Sequence, residues 1–465
     1  MLDLILLEAH ETELRALLAT PDGSEAVAYI LLGAAEIGSD PWSGEPRRRL
    51  VSHRIVPVPE EDKISASGVH VTWSTRTFVR LLRVAEAEGL TLSVVHTHPG
   101  SHAFFSDQDD ANEADLLGIV RNRSGDGHSF ASVVLGGDGS VCARLWTTPD
   151  GVQHCDRVIV AGGRIHFHGR SGDDGGEVLD RQARLFGPTF NGTVRGLRVG
   201  IVGCGGTGSP TAMLLTRLGV GHLLLIDDDV VEASNLNRIH GARRSDADGG
   251  VPKVDALARE IEVAGLGVAV AKFRGWVGDE RARDALRACD VIFGCTDDHD
   301  GRLFLNRLAY FYGIPVIDMG LRMVPAREGR PYEMAGRVTV VGPGAPCLMC
   351  RGLVDPRRAM EEALRRNDPA AYEARKAEAY VLGGGEPAPA VVTFTTETAC
   401  MAVNELLQGL TGFRGANGMR TGRQRSFDAV EDRSTTCHPR AGCEMCAGTG
   451  VWGRGDVLPF LHRAG

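Results

Sequence analysis

The chain has 465 residues, 43% of them apolar, enough material for two or three globular units at roughly 150 residues each. A net charge of −9 with scattered Lys and Arg argues against a nucleic-acid channel, and no run of about 18 apolar residues is present to cross a membrane. Residues 1–7 carry Asp3 and no basic n-region, and the eleven cysteines argue for metal and thiol chemistry over a disulfide framework, so a cytoplasmic location is expected.

Residues 1–168 alternate short apolar strands with two helical stretches, 74–88 and 106–121, an α+β pattern. Strands are expected at 92–96 and 130–135, and a closing hairpin at 158–168. The densest chemistry lies in His96-Thr-His98-Pro-Gly-Ser-His102-Ala-Phe-Phe-Ser106-Asp-Gln-Asp109. On a strand, His96 and His98 share a face, and Asp109 arrives from the first turn of the next helix. Two imidazoles and a carboxylate leave one position of a tetrahedral zinc open, as hydrolytic zinc requires. Ser106-x-x-Asp109 is also a helix capping box, which accounts for these two residues but for neither histidine.

This spacing resembles the JAMM/MPN (JAB) family of metalloproteases, which cleave peptide or isopeptide bonds after ubiquitin-like proteins. The resemblance implies a cytidine-deaminase-like α+β domain with a catalytic zinc on His96, His98 and Asp109. It further implies that Glu25, just before the apolar run 26–33, takes a proton from the attacking water and returns it to the leaving amine, while Ser106 stabilises the oxyanion. Glu8, Glu11 and Glu13 are the rival carboxylates nearby. Trp42 and Trp73 read as ordinary packing anchors, and His166 and His168 as surface residues of a strand.

Residues 169–177, rich in Gly, Asp, Ser and Arg, read as a linker between units 1–168 and 178–450, with 451–465 as a C-terminal tail. The second unit alternates strands and helices to about residue 308, a Rossmann-like pattern; a charged helical stretch follows at 356–380 within an irregular arm, 328–389. Gly203-Cys-Gly205-Gly206-Thr-Gly208 sits between an expected strand and helix, with Asp227 about 20 residues on, the dinucleotide pattern. A nicotinamide site is one reading of these residues. It leaves unexplained the further set Asp229, Asn235, Arg238, Lys253 and Asp297. Arg238 and Lys253 suit triphosphate charge, Asn235 can orient a phosphate, and Asp297 can hold magnesium.

The whole set resembles the ThiF/MoeB/HesA family, which includes the adenylation domains of ubiquitin-activating enzymes, over about residues 178–448. The resemblance implies that the C-terminal carboxylate of a ubiquitin-like or sulfur-carrier protein attacks ATP to form an acyl-adenylate. Arg181, in Asp180-Arg181-Gln182, matches an arginine that reaches ATP across a subunit boundary in relatives, which implies a homodimer. Cys347-x-x-Cys350 and Cys443-x-x-Cys446 together suit a closed structural zinc site, with a redox pair as the alternative for either knuckle and Cys437 as a substitute ligand. Residues 351–399 contain no cysteine; Cys400, in an amphipathic stretch at 395–407, reads as a buried structural thiol.

The sequence therefore points to a bifunctional enzyme that uses ATP, Mg2+ and two Zn2+. One domain adenylates the modifier and the other is a peptidase that trims or removes it, with a ubiquitin-conjugating-like enzyme as a further partner. Sulfur transfer for cofactor or cysteine biosynthesis is the alternative, and a modifier-binding scaffold the non-enzymatic one.

Overall fold

A computed structural model describes residues 1–68, 70–147, 151–169, 176–327, 331–377 and 389–456. The chain begins with β1 (Leu2–Leu7), α1 (Glu8–Leu17), β2 (Val27–Ile37), β3 (Arg47–Pro57) and a short hairpin, β4 (Lys63–Ser67) and β5 (His70–Trp73). Next come α2 (Arg76–Glu88), β6 (Thr91–His98), α3 (Asp107–Ser124), β7 (Ser129–Gly136) and β8 (Val141–Thr147). β9 (Gly151–His154), β10 (Arg157–Ala161) and β11 (Ile165–Gly169) complete a nine-stranded sheet in the order β11-β10-β1-β3-β2-β6-β7-β8-β9. The expected hairpin at 158–168 is the antiparallel pair β10 and β11, and β10 also runs parallel to β1.

After residues 170–175, which lie outside the described residues and hold most of the expected linker, come α4 (Asp180–Phe186), α5 (Phe190–Gly196) and β12 (Arg198–Val202). α6 (Gly208–Leu218), β13 (His222–Ile226), α7 (Arg244–Gly249), α8 (Lys253–Val263) and β14 (Ala269–Phe273) follow. α9 (Glu280–Arg287), β15 (Val291–Gly294), α10 (His299–Tyr312), β16 (Val316–Val324) and β17 (Glu333–Val341) continue the alternation. β14-β13-β12-β15-β16 are parallel neighbours, and β17, β18 (Arg423–Ser426) and β19 (Glu431–Ser434) extend the sheet antiparallel. Because β12 is flanked by β13 and β15, the sheet has its switch point at the carboxyl end of β12, the place where open α/β sheets take ligands.

The helical stretch at 356–380 is two helices, α11 (Pro356–Asn367) and α12 (Pro369–Ala377). They part at Asp368, an extended residue (φ −145°, ψ 79°), because the ring of Pro369 disfavours helical geometry in the residue before it. Residues 378–388, the end of the expected arm, lie outside the described residues. α13 (Val392–Thr411) contains the 395–407 stretch and packs on β16, β17 and α6. No helix among the described residues is long and apolar enough to cross a membrane.

β1 is buried along its whole length and is apolar apart from Asp3, because both faces are covered. Leu2, Leu4 and Leu6 pack with Leu14 and Leu18 of the α1 region. On the other side, Ile5 and Leu7 join Val51, Ile159, Ala161 and Ile165 in one core with Phe190, Val199, Leu215 and Leu406 of the second half. Alternate residues of β2 divide similarly: Ala28, Ile30 and Leu32 join the core of β1 and α1, while Tyr29 and Leu31 lie under α2 and α3, and further along the strand Ala35 packs into the second half. The second half thus covers part of the first sheet much as a helix layer would.

Buried charge reinforces this joint. Asp3 Oδ2 accepts from Arg47 at 2.6 Å and Arg157 at 3.1 Å, while Asp290, just before β15, accepts from Arg49 at 2.8 Å and Arg157 at 2.9 Å. Trp42 is more than an anchor within the first half, since its Nε1 donates to the Leu223 carbonyl of β13 at 3.2 Å. Residues 451–456, the start of the expected tail, wedge between the halves. Gly453 and Gly455 donate to the carbonyls of Tyr310 and Phe311 on α10, and Asp456 binds the backbone of β2 as well as Arg287 and Tyr312. A Cβ on Gly33 would stand 2.2 Å from the Gly453 carbonyl, so β2 admits this strap only because position 33 has no side chain.

Candidate functional site

β6 delivers His96 and His98 to one side of the sheet, and α3 begins where its third residue, Asp109, faces them. His96 Nε2 lies 3.2 Å from His98 Nε2 and 3.1 Å from Asp109 Oδ1, and His98 Nε2 lies 3.7 Å from Asp109 Oδ2. Tetrahedral zinc with Zn–N bonds of about 2.0–2.1 Å places neighbouring donors roughly 3.3 Å apart, so the three side chains suit one ion. Glu25 leads into β2, and its Oε1 is 3.7 Å from His98 Nε2. Of the rival carboxylates, Glu8 pairs with Arg164 at 2.7 Å and Glu11 pairs with Arg15.

These groups open on a cleft of about 500 Å³ that Trp73 and His70 also line, so Trp73 belongs to the site that sequence reasoning denied it. Burial raises the Glu25 carboxyl above its ordinary range, which suits a proton acceptor. Burial also opposes the charge on Asp109, but hydrogen bonds from His96 and Ser106 outweigh it and hold this carboxyl well below the usual range. The capping box and the ligand set coexist. Ser106 Oγ donates to Asp109 Oδ2 at 2.7 Å while accepting from the Asp109 amide at 3.2 Å. The hydroxyl expected to face an oxyanion is therefore turned toward Asp109. His102 lies tilted against Phe104 at 5.3 Å, and Phe104 in turn meets His98 edge-on at 4.9 Å.

At the switch point, Gly203 has φ +92°, and a Cβ there would stand 2.7 Å from the Cys295 carbonyl; a Cβ on Gly208 would stand 1.8 Å from the Gly203 carbonyl. These two glycines are demanded by packing between strand, turn and helix. Gly205 is different, since a Cβ there would meet nothing within 4 Å, so no packing contact within the chain demands a glycine at this position, although its carbonyl accepts from the Ser209 amide and hydroxyl at 3.0 and 2.8 Å. Arg238 is brought to the loop, its Cδ 3.4 Å from where a Gly206 Cβ would be, together with Thr395 of α13, which sequence reasoning missed. Asp227 Oδ2 accepts from the Cys204 amide at 2.6 Å. Lys253 pairs with Asp229 at 2.6 Å and stands 3.8 Å from Asp227. Burial works against both charges, yet facing Asp227 and Asp229 leaves Lys253 above its ordinary pKa.

The remaining residues of the set stand further off. Asn235 is buried, with its carboxamide accepting from the Glu232 amide and donating to Ser234, so it caps the turn Ala233–Asn235 instead of presenting a free amide to the loop. Asp297 is exposed two residues beyond the Cys295 carbonyl that abuts Gly203. Arg181 is exposed on α4 and makes no hydrogen bond or ion pair to the loop among the described residues.

The two knuckles meet across the fold. Cys347 and Cys443 sulfurs are 3.7 Å apart, Cys350 and Cys446 3.5 Å, and Cys443 and Cys446 3.6 Å. Zn–S bonds of about 2.3 Å set tetrahedral sulfurs roughly 3.8 Å apart, so the four suit one structural ion. Burial pushes the Cys347 and Cys446 thiols above their ordinary range, whereas at Cys443 the amide hydrogen bonds from Cys446 and Met445 outweigh burial and bring the thiol down to about 7. Cys437 stands outside this cluster, its thiol directed at the His438 carbonyl, which removes it as a substitute ligand. Cys400 is half-buried, more open than the buried position expected of it, and burial raises its pKa.

The ThiF family model matches residues 179–446, more than half of the chain. The chain belongs to the ThiF family. Its N-terminal part is a JAB-type domain, matching the model for prokaryotic homologs of the JAB domain over residues 7–148. Among curated relatives, the SAMP-activating enzyme E1 of Haloferax volcanii is 32% identical over 179 residues, 37% of this chain and 61% of that protein. The molybdopterin-synthase adenylyltransferase of Escherichia coli is 30% identical over 175 residues, 37% of this chain and 66% of that protein. This ThiF-family chain therefore spans somewhat less than two thirds of the length of each. Among solved structures, E. coli MccB is similar over 58% of this chain and 74% of its own, with 14% identity and a TM-score of 0.44.

Proposed function

We propose that this ThiF-family chain is a bifunctional enzyme that adenylates the C terminus of a ubiquitin-like or sulfur-carrier protein and hydrolyses the bond following that C terminus. The observation that carries the reading is the joining in one folded body of a cleft where three possible metal donors converge, with Glu25 beside it, and a glycine loop with open space beside Gly205. Zinc in the cleft supplies a water that ionises near pH 7. Glu25 accepts the proton of the attacking water and delivers it to the leaving amine, and Ser106 turns from Asp109 toward the oxyanion.

In the second site, loop amides and the start of α6 receive the phosphates of ATP, and Asp227 receives the ribose hydroxyls. Arg238 and Lys253 neutralise phosphate charge, which requires Lys253 to exchange Asp229 for an anion; Asp297 would hold a magnesium ion, which would supply further screening of the triphosphate. Arg181 completes the site in a homodimer. ATP–pyrophosphate exchange dependent on a small protein ending in glycine, together with cleavage of an extension placed after that glycine, tests the reading. Absence of both with every such protein encoded nearby would overturn it.

One observation favours the sulfur-carrier branch. Residues 351–399 contain no cysteine, and the half-buried Cys400 has its pKa raised by burial, so a thioester would have to form on Cys400 or Cys437, outside that segment. Mass spectrometry of the activated protein after sulfide addition separates the branches: a thiocarboxylate supports sulfur transfer, and a protein conjugate supports modification.

A further inference from the structure

Beneath the metal-facing side of α3 lies a buried polar cluster that none of the metal ligands requires. Glu113, one turn after Asp109, is 4% exposed. Its Oε1 accepts from Ser132 Oγ of β7 at 2.6 Å, and its Oε2 accepts from Arg144 Nε of β8 at 2.8 Å and from Trp146 Nε1. Arg144 is itself 2% exposed; its Nη1 reaches Asp110 Oδ1 at 2.5 Å, and its guanidinium carbon lies 3.8 Å from the ring centre of Phe105. One guanidinium thus touches the residue before the Ser106 cap, the residue after Asp109, and the side chain one turn further on.

A buried ionic set of this kind is a poor source of stability, because well-packed apolar side chains of the same volume generally do as well. What it supplies is direction. A carboxylate sits about 5–6 Å from a helix axis, so a roll of about 15° would carry Asp109 roughly 1.5 Å sideways. Metal–ligand distances tolerate only about 0.2 Å.

We propose that Arg144, acting through Glu113, Asp110 and Phe105, is a positioning residue that fixes the roll of α3 so that Asp109 meets His96 and His98 as the third metal ligand. The inference rests on the reading of that cleft as a metal site. Its test uses the full chain: zinc stoichiometry and affinity, the visible spectrum of the cobalt-substituted protein, and adenylation as a control on the other half. Wild type should bind two ions, one of which His96→Ala removes. Arg144→Met should keep the knuckle ion and the adenylation rate, weaken the cleft ion about 10–100-fold, the usual cost of losing an outer-shell partner, and alter the cobalt bands of that site. Arg144→Lys should fall between the two.

Cleft affinity within twofold of wild type in Arg144→Met would overturn the positioning role while leaving the metal site intact. A wild-type chain that binds only the knuckle ion overturns the metal reading and the inference with it. If Arg144→Met does not fold, Arg144→Lys and Trp146→Phe decide: weakened cleft binding in both supports the role, and unchanged binding in both overturns it.

Discussion

On the proposed function, the three-donor cleft and the glycine loop would solve the same problem, holding a charged guest, in opposite ways. In the cleft, three donors already converge, and their supporting contacts, such as the Ser106 bond to Asp109, keep them there. Around the loop the charged side chains are engaged within the chain, Lys253 with Asp229 and Arg238 with the Ser234 carbonyl, and what stands open is the space beside Gly205. A small ion held at bond distance needs a prepared cage, whereas a triphosphate is large enough for parked ion pairs to be exchanged as it arrives. Both depend on a shared core, and that dependence is where the comparison can be broken most severely.

A fragment ending at residue 169 should fail to give a soluble monomer. It would expose Ala161 together with Ile5, Leu7, Val51, Ile159 and Ile165, the last five each representing roughly 1.5–3 kcal/mol of burial, and leave Arg49 without Asp290. A cooperative melt of that fragment as a monomer would show the halves to be independent. Next in size, Asp290→Ala should cost about 3–5 kcal/mol in chemical denaturation of the full chain, because it strands two buried guanidinium groups.

The functional contrast is sharpened by crossing the sites. His96→Ala should abolish extension cleavage while leaving pyrophosphate exchange within twofold, and Arg238→Ala should do the reverse, with a loss of exchange of about 10²-fold or more. Coupled losses in both variants would mean that the sites communicate. The smallest effect separates the roles of two glycines within one loop. Gly208→Ala should lower the melting temperature through its clash with the Gly203 carbonyl, whereas Gly205→Ala should leave melting unchanged and weaken ATP binding. Equal melting temperatures for the two variants would dissolve that distinction.

The convergence of His96, His98 and Asp109 and the place of the glycine turn were legible because each lies in one short segment whose local geometry is strongly coded. The period of two on β6 and the cap at Ser106 suffice to bring His96, His98 and Asp109 together, and a glycine run after a strand announces its turn. Trp73 was passed over because a hairpin's lean over a neighbouring cleft leaves no periodic trace. Glu113 left a trace, four residues after Asp109 on the same helical side, but its partner Arg144 is 31 residues away on β8. The charges at the joint are further apart still: Arg49 and Asp290 are separated by 241 positions, and their pairing exists only once both sheets are formed.

The strap of residues 451–456 and the common core have a kinetic corollary. Because the halves are seated on each other, neither can swing a captured protein from one site to the other. A precursor that is first cut and then activated has to dissociate and be recaptured, by the same molecule or another. Starting from uncut precursor, adenylate formation should therefore show a lag that shortens as enzyme concentration rises and disappears when the precursor is supplied already cut.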